Sequence, residues 1–272
     1  DYLVLACGGT TNYFGNEQVA KHSLPMKTLY ESMNLRNVLL QNIEKALVSD
    51  KPETREALLT VAIVGGGPSG VEIAGALAEM KRYVLPKDYP DMETDQFKIH
   101  LIDASPRLLQ AMSEKSSRTA AEGLTSLGVE IHHNMMVTDY DGRVLTLSDG
   151  TKMNTRTVIW VSGIVANTVE GIQADSLGRG KRILVDGYNE VQGVPNVFAL
   201  GDQCLMTADP SYPQGHPQMA QVAIQQAALL AKNLKARLTG GKQQTFRYKD
   251  LGSMATIGRN RAVAEIGKAK WG

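Results

Sequence analysis

A chain of 272 residues, 43% hydrophobic and 21% charged, carries enough apolar material for about two domain cores, which excludes a disordered chain. Lys and Arg total 29 against 28 Asp and Glu, a net charge of +1 that argues against nucleic acid or anionic lipid as the main partner. Two cysteines, Cys7 and Cys204, without a C-x-x-C, exclude a disulfide framework and point to a reducing compartment; no apolar run reaches the ~18 residues of a membrane span, and the start lacks signal-peptide composition.

The first predicted element is a strand at Leu3-Val4-Leu5-Ala6, whose continuous apolar run suits a parallel strand covered on both faces. A strand at the very start, and a stop at Trp271-Gly272 without a capping element, lead us to expect a fragment of a longer protein. Leu29, Met33, Leu40 and Leu47, widened by Leu35, Val38, Leu39 and Ile43, predict one long helix over 26–48, stopped at Ser49-Asp50-Lys51-Pro52. A strand at Val61–Val64 runs into Gly65-Gly66-Gly67-Pro68-Ser69-Gly70 and then a helix to about Tyr83. Residues 85–96 are polar and bear prolines, so a loop is expected; Ile99–Asp103 is the next strand. A helix over 113–127, ended by Gly128, precedes a short strand at Val129–Ile131. The turn dipeptides Asp141-Gly142 and Asp149-Gly150 flank Val144–Leu147, an antiparallel meander signal. Further strands are expected at Thr157–Val161, Ile183–Val185, Val197–Leu200, 254–257 and 262–266, with a helix over 218–238 before Gly240-Gly241. Strands alternating with helices, without repeats, make this an α/β protein.

The chemistry-bearing motif is the G-x-G-x-x-G at 65–70, set between a strand and a helix. Gly65 permits the tight turn, Gly67 lets a pyrophosphate approach the backbone, and Gly70 allows the helix to pack against the strand. The phosphates would rest on the N–H groups and positive dipole end of that helix. Asp103 closes the second strand, 33 rather than about 20 residues beyond Gly70, where a carboxylate can accept from both ribose hydroxyls. The fingerprint alone admits NAD, NADP or FAD; an acid at the ribose disfavours a 2′-phosphate and so favours NADH. A surface role for Asp103, or a ligand-free glycine turn, are the plainer readings. His132-His133 read as solvated, and with no Cys/His ligand spacing no metal is expected. Cys7 and Cys204 read as packing residues.

Several segments then resemble, in order, the two-dinucleotide-binding flavoproteins and among them the type II NADH dehydrogenases, single-subunit NADH:quinone oxidoreductases. Leu5-Ala6-Cys7-Gly8 is similar to their A-T-G end-of-strand motif, with Cys7 in place of Thr. Val61–Leu77 with Glu72, Ile102–Leu109, and Ile159-Trp160-Val161-Ser162-Gly163, with Ser162 where Ala is usual, also resemble that family. Asn196–Asp202 looks like the second flavin motif, and Pro217–Gln226 like the A-Q-x-A-x-Q segment.

The resemblance implies a Rossmann-like FAD/NAD(P)-binding fold, with FAD and NADH as cofactors. It implies that Gly8, Ser162, Gly163, Gly201, Asp202 and Ala220 lie at bound cofactor, Asp202 on the ribityl chain. It implies that Glu72 relays protons near the nicotinamide and quinone side, and that Gln221 and Gln225, one turn apart on a helix, face a quinone. Glu72 as a first-turn carboxylate favoured by the helix dipole, and the two glutamines as a solvated face, are the plainer alternatives. The implied organisation is a flavin domain from 1–56 and 166–250, an NADH domain over 57–165, and at 251–272 the start of a truncated membrane-associating region. The family's upstream G-x-G-x-x-G for FAD is absent from this sequence, so poor FAD retention is expected of the chain as it stands. Implied partners are a quinone and the membrane surface, reached through helices following Gly272, on the cytoplasmic face; a homodimer stays open, and no nucleic acid is expected. Thioredoxin-reductase-like chemistry would need paired cysteines within 57–165, which has none; a sulfide:quinone, rubredoxin or ferredoxin reductase, or a non-enzymatic nucleotide sensor, remain rivals.

Overall fold

The computed structural model describes residues 1–272. They form two compact units, one of residues 11–163 with 252–272 and the other of residues 1–10 with 164–251. Packing thus joins 11–56 and 252–272 to the expected nucleotide domain.

The first unit is built on a five-stranded parallel sheet in the order Leu24–Pro25, Thr157–Trp160, Thr60–Val64, Lys98–Ile102, Val129–His132. Every residue of Thr60–Val64 is buried, as a central strand covered on both faces must be. Val61 and Ile63 face helices at Leu29–Leu47, Pro68–Glu79 and Glu114–Ser126, through Leu39, Ile43, Val71, Leu77, Ala120 and Leu124. Ala62 and Val64 face the other way, onto Tyr140, Leu145 and Leu147 of a three-stranded meander over Val137–Tyr140, Val144–Leu147 and Lys152–Asn154.

The long helix begins at Leu29, not 26, because Thr28 and Glu31 form a reciprocal capping box. A helix at Pro52–Leu59 went unread in the sequence: Pro52 looked like a stop but sits in its first turn, where its missing N–H costs nothing. The expected loop at 85–96 starts with a helical turn at Leu85–Asp88, reached through a π-helical turn at Met80–Val84 and anchored by the fully buried Leu85. Residues Ser253–Thr256, Ala262–Ile266 and Ala269–Trp271 form an antiparallel sheet whose Ala255 and Val263, with Ile257 just beyond the first strand, enter the helix-side core.

In the second unit Leu3–Leu5 pairs in parallel with Val197–Ala199, and Ile183–Val185 with Cys204–Met206. The first strand is not covered on both faces as expected: Leu3 is 54% and Val4 41% exposed, and Leu5 alone is buried, because the sheet has only two strands. A 20-residue helix at Ala220–Thr239 ends at Gly240, whose φ of +70° is the left-handed cap geometry that favours glycine. No helix of the chain is long and apolar enough to cross a membrane.

Candidate nucleotide sites

The glycine fingerprint lies at the carboxyl ends of the central strands, where open α/β sheets bind ligands. Gly65 has φ +122°, and a Cβ there would meet the Val161 carbonyl oxygen at 2.7 Å and the Ser162 nitrogen at 2.9 Å. The turn and the close approach of Val161-Ser162 therefore both require glycine. A Cβ on Gly70 would lie 1.8 Å from the Gly65 carbonyl oxygen, so the helix seats directly on the loop. Gly67 differs: it is exposed, no side chain caps the helix it opens, and a Cβ there would meet nothing within 4 Å. The loop thus leaves an uncapped helix start beneath open space.

Asp103 closes the second strand as read from the sequence, and its carboxylate is already engaged. Oδ2 accepts from the Gly66 N–H, and Oδ1 from the Ser105 N–H at 2.7 Å. A carboxylate offers about four lone-pair positions, so two remain for ribose hydroxyls while the acid clamps the loop. Ser162 borders Gly65; the next residue, Gly163, at φ +112°, accepts from the Asn12 N–H at 3.1 Å. Glu72 is not in the first turn of its helix, as the sequence reading had it. It is the fifth residue, exposed, and accepts from the Thr256 N–H at 3.3 Å, so the backbone of the 253–256 strand and not the helix dipole is its partner.

In the second unit the ends of two parallel strands converge. Cys7 and Gly8 follow Leu3–Leu5, and Gly201-Asp202 follow Val197–Ala199. Three amides fasten them: Gln203 and Asn167, to which the sequence reading gave no role, and Gln226, which it placed only within a family segment. The buried Gln203 accepts from the Cys7 N–H at 2.7 Å and donates to the Asn167 carbonyl at 2.7 Å. Asn167 donates to the Cys7 carbonyl at 2.8 Å. The buried Gln226 accepts from the Gly201 N–H at 2.7 Å and donates to the Cys204 thiol at 3.5 Å. The only hint in the sequence was the cluster of glutamines at 221, 225 and 226. Burial pushes the Cys204 thiol up to about 11, which keeps it neutral and unreactive, in line with a packing role. A Cβ on Gly9 would lie 2.9 Å from the Val165 carbonyl oxygen and 3.5 Å from the Asp202 Cβ, a tight approach beside the carboxylate.

Ala220 opens the long helix, which no side chain caps. Gln221 and Gln225 share a face of it, as expected, and both hold an extended segment. Gln221 accepts from the Leu251 N–H at 3.0 Å. Gln225 accepts from the Lys249 N–H at 3.0 Å and donates to the Lys249 carbonyl at 2.9 Å, pairing with that residue as a strand would.

These features have counterparts in known proteins. A family model described as pyridine nucleotide-disulphide oxidoreductase matches residues 1–227. The chain belongs to that family. Among its curated relatives the type II NADH:quinone oxidoreductase Ndh of Mycobacterium tuberculosis is 36% identical over 282 residues, covering all of this chain and 59% of its own length. The external alternative NADH-ubiquinone oxidoreductase of Yarrowia lipolytica mitochondria is 30% identical and matched over 54% of its length. This member of the pyridine nucleotide-disulphide oxidoreductase family therefore spans a little over half the length of the relatives it matches. Among solved structures, NDH2 of Plasmodium falciparum in complex with NADH superposes with a TM-score of 0.90 at 21% identity, covering 99% of this chain and 70% of that one. A ferredoxin reductase from Rhodopseudomonas palustris gives 0.70, also at 21% identity, over 98% of this chain and 58% of that one. At that identity the two structures establish the shared Rossmann-like α/β fold. Despite the family's name, Cys7 and Cys204 are both free thiols.

Proposed function

We propose that the chain is the nucleotide-handling part of an NADH:quinone oxidoreductase, with NADH held by the 11–163 unit and FAD by the 1–10 and 164–251 unit. The observation that carries this reading is the open, uncapped helix start at Gly67, framed by glycines at 65 and 70 that admit no side chain. The donor sets suit both groups. Around Gly67 the backbone N–H groups of the first turn would receive the pyrophosphate, with Asp103 on the adenosine ribose and Ser162-Gly163 toward the nicotinamide. Gly8, Gly201 and Asp202 would hold the flavin and its ribityl chain, with the start of the Ala220–Thr239 helix at the edge that gains charge on reduction.

When bound, the nicotinamide and flavin supply the hydride and electron transfer. The residues of this chain bind and orient. Asp103 serves two purposes with one carboxylate, fixing the Gly66 turn and presenting its remaining lone pairs to the ribose. Glu72, exposed one turn into the helix, is proposed to exchange protons with solvent near the nicotinamide. Gln221 and Gln225 are proposed at the quinone; their bonds to Leu251 and Lys249 make them positioning groups for residues 249–251, with one N–H of Gln225 left for a carbonyl. The NADH:quinone and NADH-ubiquinone oxidoreductases among its relatives support the quinone as acceptor. Attachment to the membrane surface at its cytoplasmic face through a region containing 251–272, and assembly as a homodimer, belong to the same proposal.

Nucleotide titration tests this reading. NADH is expected to bind roughly 10²-fold more tightly than NADPH, since a 2′-phosphate removes the 2′-hydroxyl donor and sets its charge against the Asp103 carboxylate. Equal affinities would remove Asp103 from the ribose. With FAD supplied, NADH oxidation coupled to a short-chain quinone supports the proposal; oxidation coupled only to a ferredoxin, as the shared fold also permits, replaces the quinone by a protein acceptor.

A further inference from the structure

Away from the glycine loop, two neighbouring strands of the first unit bring three metal-ligating side chains to one point. His100 lies on Lys98–Ile102; Glu130 and His132 lie on Val129–His132. The strands run parallel with His100 opposite Glu130, and the two-residue period of a strand puts Glu130 and His132 on one face. His100 Nδ1 is 3.1 Å from His132 Nε2 and 3.4 Å from a Glu130 carboxylate oxygen. One ligand atom from each of the three residues lies within 4.8 Å of the other two. Zinc–nitrogen and zinc–oxygen bonds are ~2.0–2.2 Å, so neighbouring ligands around a tetrahedral ion stand roughly 3.3 Å apart. The two separations from His100 fall on either side of that spacing, and the third lies within 4.8 Å.

We propose that His100, Glu130 and His132 form a site for one divalent transition-metal ion of the zinc class. Two imidazoles and a carboxylate suit a borderline-soft ion; magnesium and calcium favour all-oxygen sets. The His100 side chain is 10% exposed and Glu130 61%, so the ion is held from below by a fixed imidazole and stays open to water on the glutamate side. That open position is the arrangement of a three-ligand site. The ion would also brace the strand end that carries the ribose acid, since the Asp103 N–H donates to the His132 carbonyl at 2.9 Å. Sequence spacing did not expose the site, because its ligands come from two strands about thirty residues apart and meet only through the parallel register.

Calorimetric titration of the 272-residue chain with zinc, and with cobalt(II) as a spectroscopic probe, tests the proposal. One zinc per chain is expected, with a cobalt visible spectrum of tetrahedral type. Glu130→Gln and His132→Asn, at exposed and half-buried positions, should each weaken binding at least about tenfold, while His22→Asn elsewhere in the unit should not. Circular dichroism melts show that the variants fold, and Glu130→Gln alone suffices if His132→Asn does not. No saturable binding, or binding that Glu130→Gln leaves unchanged, overturns the proposal and leaves His100 and His132 as a hydrogen-bonded pair.

Discussion

At the scale of single residues, the three fingerprint glycines do different work. Gly70→Ala would drive a methyl group to within 1.8 Å of a backbone oxygen, so it should cost about 3 kcal/mol or more and release the helix from the loop. Gly67→Ala meets open space at an ordinary φ of −74°; its stability change should stay within about 1 kcal/mol, while the methyl blocks the approach of a pyrophosphate. Urea unfolding and NADH titration of the two variants separate these effects; a Gly67→Ala protein with undiminished affinity would place the phosphates elsewhere. Gln225→Leu tests the other site. It removes both bonds to Lys249, about 1–2 kcal/mol since that segment can turn to water. Hydrogen exchange at Lys249 should quicken. In a quinone-reducing form of the protein, stopped-flow should show slower quinone reduction with flavin reduction nearly unchanged; equal slowing of both would reduce Gln225 to a support for the flavin.

At the scale of elements, one carboxylate ties the C-terminal sheet to a helix. Glu265, on Ala262–Ile266, accepts from the N–H and hydroxyl of Ser113, which caps Glu114–Ser126, and from the Ser116 hydroxyl. These bonds hold its carboxyl at about 2, well below the usual 4.5. A depressed folded value means that the stabilisation is complete above about 4.5 and is lost as pH falls toward about 2. Glu265→Gln should therefore lower the urea midpoint at neutral pH and flatten its decline through that window. A variant whose acid branch still tracks the parent would show that Glu265 does not link the sheet to the helix.

At the scale of the whole molecule, the near-neutral balance of 29 basic and 28 acidic residues leaves recognition to local geometry. Both tryptophans, Trp160 and Trp271, belong to the unit proposed to hold NADH, so tryptophan fluorescence reports that unit's unfolding. NADH at a hundredfold its Kd should stabilise it by about 2.7 kcal/mol; no shift would contradict the assignment. The chain contains a single G-x-G-x-x-G, at 65–70, and Gly8, Gly201 and Asp202 are proposed to serve only the ribityl side of a flavin. Purified as these 272 residues it should bind NADH yet carry FAD well below one per chain, measured by absorbance; a stoichiometric yellow protein would show that the pyrophosphate needs no second glycine motif.

The α/β class, the central strands and the fingerprint loop were legible in the sequence, because alternating apolar runs and glycine spacing are local signals that the backbone must obey wherever it is placed. The positions of Asp103, Gly201-Asp202 and the paired glutamines followed from the same order of motifs. Contacts between distant segments were not legible. That Asp103 clamps Gly66, that Gln203 and Gln226 fasten the ends of two strands, that Glu72 meets the 253–256 backbone, and that His100, Glu130 and His132 converge all depend on parallel register and on which face each strand buries. An amide or a carboxylate carries no mark of its partner in one dimension; the tertiary fold chose the partners, by strand register for Glu130 and the two histidines, and at Gln203 and Gln226 by a burial that leaves no water to satisfy the amides.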